Sequence, residues 1–228
     1  MQKSTFTRLS FVSPVILGLM LAVSAPAAAQ APAAAQAPAA APAAGPNTWT
    51  LDSAHTSAGF AVKHMMVSTV RGAFGKTEGT ITFDGKDVSS IKADVTIDAT
   101  TITTNNEKRD AHLKSPDFFD VAKFPTITFK SKSATAAGAG KFKLVGDLTM
   151  RGVTKEVTLD VEGPSQPLVA QGRTRVGATA TTKVNRQDYG VSWSRALDGG
   201  GVVVSDEVVI TLELELVKAA APAATGQQ

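Results

Sequence analysis

The sequence predicts an all-β fold, an eight-stranded antiparallel β-barrel with one short helix. Three observations carry this. Apolar and polar residues alternate with period two through one segment after another, as in strands with one buried and one wet face. Glycine-containing and proline-containing turn signals separate the segments at hairpin intervals. Only one stretch carries the chemistry of a helix start. Roughly eight such strands suit a closed barrel, and no self-similar repeat points to a solenoid or propeller.

The chain begins with a stretch expected to be a secretion signal, residues 1–29. Lys3 and Arg8 give a positive start, Leu9 to Val23 is a short apolar run, and Ala27, Ala28 and Ala29 are small residues suited to cleavage. As an anchor the run is poor, since a spanning helix needs about 20 apolar residues. The mature chain is therefore expected to carry no transmembrane segment. Residues 30–46 and 219–228 are almost entirely Ala, Pro, Gln and similar small residues. They read as a disordered linker and tail, because they cannot bury enough apolar surface to offset chain ordering. The folded domain is left as residues 47–218.

Within it, Phe60, Val62 and His64 share one face. Ile81 and Phe83 do the same, opposite Thr80 and Thr82. The clearest run sets Ile91, Ala93, Val95, Ile97 and Ala99 against Lys92, Asp94, Thr96, Asp98 and Thr100, a pattern that a helix would smear around its circumference. Ile127 and Phe129 follow, then Phe142, Leu144, Leu148 and Met150, then Val157, Leu159 and Val161, then Val176 to Val184. A long last strand carries Val208, Ile210, Leu212, Leu214 and Leu216. Asp84-Gly85, Gly138 to Gly140, Arg151-Gly152, Gly163-Pro164 and Gly199 to Gly201 supply the turns. The exception is Thr104 to Glu107, which has capping-box spacing and predicts a helix through about Leu113, ending before Ser115-Pro116. Phe118 and Phe119 follow it. Adjacent strand residues point to opposite faces, so a local turn is needed to send both rings inward. The segment reads either as a plug on one barrel end or as a ligand portal.

Composition narrows the function. The chain has no cysteine, which excludes disulfides, zinc-thiolate sites and cysteine catalysis. Loss of the leader, with Lys3 and Arg8, lowers the formal charge from +3 to +1, and the remaining cations are interspersed with acids, so nucleic acid is not an expected partner. There is no Gly-x-Ser-x-Gly elbow and no His-Glu-x-x-His helix, and the Gly199 to Gly201 run leads into valines rather than a phosphate-binding helix. His55, His64 and His112 lack zinc-binding spacing. Asp117 and Asp120 are a weak basis for a hydrolase.

Several ordered elements make the sequence recognisable. Asp52-x-x-His55, Phe60-x-Val62-x-His64, Gly72-x-Phe74, the run from Arg109 to Asp120, Phe124-Pro125-x-Ile127-x-Phe129, Gly146 to Lys155 and Arg186-x-Asp188-Tyr189-Gly190 together resemble the YceI-like family over nearly all of residues 47–218. The resemblance implies a lipocalin-like barrel in the bacterial periplasm, with a hydrophobic tunnel that binds polyisoprenoid, such as an isoprenoid quinone or its precursor, or another long-chain amphiphilic lipid. It implies no catalytic activity and no cofactor beyond that lipid, and it is compatible with a homodimer. The lining residues expected are Phe60, Val62, His64, Phe74, Ile81, Phe83, Phe118, Phe119, Ile127, Phe129, Leu148 and Trp193, with His64 as a hydrogen-bonding group for a polar head. Core packing is the alternative for each, and small inward residues such as Ala93, Ala99, Gly146, Ala178 and Ala180 could leave room for a ligand or allow tight packing. Arg186 is either structural or a holder of an anionic head group. The competing functional reading is a small metal-binding or enzymatic barrel acting on an amphiphile; a third is an interaction module whose barrel is packed solid.

Overall fold

The computed structural model describes residue 45 and residues 47–218. The expected leader and tail, and the expected linker apart from Gly45, lie outside the described residues. Twelve strands form one antiparallel sheet: β1 (Thr48–Leu51), β2 (Ser57–His64), β3 (Ser68–Phe74), β4 (Thr77–Thr82), β5 (Lys92–Asp98), β6 (Ile102–Thr103), β7 (Thr126–Ala136), β8 (Lys141–Met150), β9 (Val153–Glu162), β10 (Leu168–Ala170), β11 (Arg173–Asn185) and β12 (Val204–Lys218). Among the described residues one α-helix, α1 (Glu107–Lys114), and three single-turn 3-10 segments interrupt them.

The register reduces twelve strands to eight staves. β1 and β2 both pair with β12, at residues 216–218 and 204–213, so they are two halves of one interrupted stave. β3 and β4 pair with those halves in turn, and β5 and β6 with the next. β9 and β10 both lie along β11. Each stave pairs with its sequence neighbour, and β11 with β12 over eleven residue pairs. The ring closes when β12 meets β1 and β2. This is the predicted eight-stranded antiparallel barrel, and its staves run up and down in sequence order.

Alternation sorts the side chains between inside and outside. On the outer wall, opposite charges meet across strands: Lys130 with Asp94 (3.4 Å), Lys132 with Asp147 and Glu156 (2.6 and 3.1 Å), Lys143 with Asp160 and Lys141 with Glu162. Exposed pairs of this kind contribute only about 0–1 kcal/mol each, but they fix which face is wet. A barrel that crosses a membrane carries an apolar outer band instead, and among the described residues no helix is long and apolar enough to cross one.

The helix forms where it was expected, with a different cap. Asn106 is the N-cap, its side chain accepting from the Arg109 amide at 3.0 Å. Thr104 does not cap. Its hydroxyl donates to Asp110, and it receives the Arg109 Nε–H at 2.7 Å. Burial works against ionisation of Asp110, but hydrogen bonds from Thr104 and Thr103 outweigh it and hold the carboxyl below its ordinary range. The capping box fails because Thr104 sits two residues before the cap and is already engaged by the helix's own Arg109 and Asp110. At the other end Ser115 closes the helix ahead of Pro116.

Candidate functional site

The barrel encloses a cavity of about 860 Å³, within the roughly 300–1,000 Å³ common for small-molecule sites. Trp49, Leu51, Phe83 and Leu216 line one end, and His64, His112, Phe118 and Trp193 line the other, beside α1. The wall between them is built from inward positions of every stave, among them Val95, Phe129, Leu148, Leu159, Ala180 and Ile210. Such a wall offers apolar contact along its length and polar groups mainly at the ends.

All twelve residues singled out from the sequence face this cavity. Phe60, Val62 and His64 come from β2, Phe74 from β3, Ile81 from β4 and Phe83 from just beyond it. Ile127 and Phe129 come from β7, Leu148 from β8 and Trp193 from the loop before β12. Phe118 and Phe119 both point inward because the chain turns tightly there. The Phe118 amide donates to the Ser115 carbonyl and the Phe119 amide to Leu113, both at 3.0 Å, while Asp120 takes a positive φ of 48°.

The aromatic side chains pack against one another rather than standing singly. Phe74 lies between Phe60 (centroids 5.9 Å apart) and Phe119 (5.7 Å, edge-on). At the helix end His112 meets Phe118 edge-on at 5.0 Å and Trp193 at 5.2 Å, and Phe118 lies 5.4 Å from Trp193. His112 is oriented by Asp117, whose carboxylate lies 2.8 Å from Nε2. No residue of α1 is fully buried, so the helix covers this end shallowly while Arg109, His112 and Leu113 contribute to the lining. It is cover and lining at once.

Two alternatives that the sequence left open are decided by the geometry. Arg186 is not available to an anionic head group, because its guanidinium is committed to the protein: Nε to the Ser205 carbonyl at 2.9 Å, Nη1 to Val191 and Trp193 at 2.6 and 2.8 Å, Nη2 to Val204 and Asp206 at 3.2 and 3.1 Å. It ties the loop carrying Trp193 to the start of β12. Nor does Gly146 leave room for a ligand. A Cβ there would lie 2.5 Å from Phe129 Cζ, so the missing side chain is the space the Phe129 ring fills. Gly72 serves Phe60 in the same way, at 2.4 Å. Both glycines seat aromatic rings of the lining.

The remaining polar clusters lie elsewhere. Asp52, His55 and Glu215 could offer three ligand atoms within 4.8 Å, but Arg175 is already there, its Nη1 2.7 Å from Asp52 Oδ2 and also bonded to Glu215. The arginine supplies the positive charge that a metal ion would bring. Hydrogen bonds from Arg175, then His55, pull the Asp52 carboxyl down to about 2. The three histidines have separate settings: His55 with Asp52 between β1 and β2, His64 on the cavity wall, His112 with Asp117 on α1. Asp117 and Asp120 are not a working pair either, since Asp117 bonds His112 and Asp120 pairs with Lys123 at 3.3 Å.

At the far end of the cavity sequence reasoning found Ile81 and Phe83 but missed Trp49 and Leu51. Trp49 and Leu51 lie on β1, four residues long and adjoining the Ala/Pro-rich stretch. A single tryptophan before an aliphatic residue is too short a pattern to read as a strand.

Comparison with known proteins gives a consistent picture. Residues 49–216 match the YceI-like domain family. UPF0312 proteins from two strains of Staphylococcus aureus are 43% and 42% identical over 162 residues, covering 70% of this chain and 91% of theirs. A crystal structure of the Campylobacter jejuni YCEI protein is 32% identical, with a TM-score of 0.59 over 75% of this chain and 97% of that one. A polyisoprenoid binding domain from Saccharophagus degradans, described as implicated in plant cell wall breakdown, shares the fold at 17% identity, with a TM-score of 0.55 over 75% of this chain and 98% of that one.

Proposed function

This chain belongs to the YceI-like family, and on that premise we propose that it is a binding and carrier protein for a polyisoprenoid or similar long-chain amphiphile, held in the barrel and carried in the periplasm. The observation that carries the reading is the cavity: about 860 Å³, extending between the barrel ends and walled by aliphatic and aromatic side chains. Each methylene removed from water contributes about 0.8 kcal/mol, so a long hydrocarbon gains most from a continuous apolar channel. Hydrogen bonds are needed only at the head. The polyisoprenoid-binding function named for the Saccharophagus degradans domain supports the ligand class, and the sequence-predicted leader supports the compartment. The reading is of a binder rather than an enzyme: the wall is apolar along its length, Arg109 is engaged by Thr104 and His112 by Asp117, and His64 stands as a single hydrogen-bonding group for a polar head. An isoprenoid quinone suits it, with the tail along the barrel and the head at the helix end beside His64.

Both tryptophans, Trp49 and Trp193, line the cavity, one at each end, so intrinsic fluorescence reports occupancy. Titration with an isoprenoid quinone is expected to quench the emission saturably. His64→Phe is expected to weaken a head-group-bearing isoprenoid more than a plain hydrocarbon of equal length. Absence of saturable quenching contradicts the carrier reading, and equal weakening of both ligands contradicts the role of His64.

A further inference from the structure

The hairpin between β2 and β3 ends in Met65, Met66 and Val67, which are 45, 62 and 84% exposed. Three consecutive exposed apolar residues at a strand turn are unusual on a surface whose outer wall is otherwise charged. The backbone beneath them is also unusual. Met65 and Met66 have φ values of 51° and 61°, and the Val67 amide closes the turn onto the His64 carbonyl at 3.1 Å. Two consecutive positive φ values belong to the type I′ turn, where asparagine and glycine are favoured and a long side chain is strained. Elsewhere such turns use glycine at their second position, as in Arg151-Gly152 and Gln171-Gly172. Here the fold keeps methionine at both central positions, so the side chains themselves account for the choice.

The position of the tip gives those side chains a use. His64, the residue before the turn, lines the cavity, as does Val203, whose carbonyl accepts the Met65 amide at 2.9 Å. The tip is therefore on the rim of the cavity's helix end. Lys63 and Arg71 lie exposed on the two strands below it, and among the described residues neither has an ion-pair partner. The acids at the start of β12 are occupied, Asp206 by Arg186 and Glu207 by Lys183. The adjoining loop adds one charge of each sign, Arg195 and Asp198. Apolar side chains at the apex with cations set behind them match a bilayer, whose interior takes the former and whose anionic head groups take the latter.

We infer that the Met65–Val67 tip is a membrane-docking element that inserts into an anionic bilayer and brings the cavity mouth onto the lipid surface. This goes beyond ligand binding, which is measured separately in solution. The test is co-sedimentation of the full chain with vesicles of phosphatidylglycerol and phosphatidylcholine. Met65→Asn with Met66→Gly installs the residues that the turn geometry favours, so the variant keeps the hairpin while losing the apolar apex. It is expected to bind these vesicles at least tenfold more weakly, with thermal stability and quinone quenching unchanged. Leu168→Ser with Val169→Ser removes the exposed pair on β10, at the opposite end of the barrel, and is expected to leave vesicle binding intact. In a further variant, Val67→Trp is expected to add blue-shifted emission on vesicle binding, quenched by brominated lipid. The inference is overturned if the unsubstituted chain does not sediment with the vesicles, or if Met65→Asn/Met66→Gly binds as well as it does. It is equally overturned if the tip instead holds two copies of the chain together, seen as a dimer in sedimentation velocity that this variant abolishes.

Discussion

Phe129 lies where a side chain on residue 146 would have to go. The Cβ of Gly146→Ala would fall 2.5 Å from the ring and 2.6 Å from the Lys130 carbonyl oxygen, so neither a rotamer change nor a small shift of the ring alone relieves the clash. Overpacking of this kind costs about 1–3 kcal/mol, and denaturant titration of Gly146→Ala is expected to show a loss in that range; no loss would mean that the ring is not seated on the glycine. At this scale the sequence was partly legible. Period-two alternation identified the inward residues of the long strands, among them Phe60, Val62, His64, Ile127, Phe129 and Leu148, because it follows directly from the pleat. Phe118, Phe119 and Trp193 lie outside the strands and owe their inward direction to turns and loops. Alternation could not tell which small residue leaves space and which is already filled, since that depends on a neighbour one strand away. Nor could it reveal Arg186's five partners, four backbone carbonyls and one carboxylate gathered from a loop and from β12.

Among the elements, the breaks in the staves are as informative as the strands. β1 and β2 are separated by a turn at residues 52–56, and that gap is held by the cluster of Asp52, His55, Arg175 and Glu215, which joins the first stave to β11 and β12. Its acid response follows from Asp52. In the folded chain the carboxyl is drawn down to about 2, whereas in an unfolded chain it titrates near 3.9. A depressed carboxylate contributes stability that is fully present above the unfolded value and is lost as pH falls from about 4 towards about 2. Unfolding measurements across that interval are expected to give a shallower pH dependence for Asp52→Asn than for the unsubstituted chain, and identical slopes would show that the cluster does not couple to folding. These breaks were poorly legible. Long strands such as β8, β11 and β12 declared themselves by repeated alternation, but β1, β6 and β10, at four, two and three residues, are shorter than any reliable period. The Met65-Met66 turn carried no glycine to mark it, so the chemistry that betrayed Arg151-Gly152 was absent there.

For the molecule as a whole, the distribution of polarity is the reverse of a membrane-spanning barrel: ion pairs outside, hydrocarbon side chains around an interior space. The closed ring satisfies the backbone of the staves and leaves that space available. The fold class was fully legible because eight staves in sequence order need only alternation and turns. The cavity itself was not, since periodicity says which side chains face inward but not whether they meet. Here they leave about 860 Å³ between them, and on this volume the carrier reading depends. Its most direct test is native mass spectrometry of gently purified protein, alongside Ala180→Phe, which places a ring at a buried wall position. The account predicts a protein peak accompanied by a releasable hydrocarbon-rich species, identified as an isoprenoid or similar lipid by fragmentation and much reduced in Ala180→Phe. A lipid-free peak for the unsubstituted protein that stays lipid-free after incubation with isoprenoid quinones or polyprenols would contradict it.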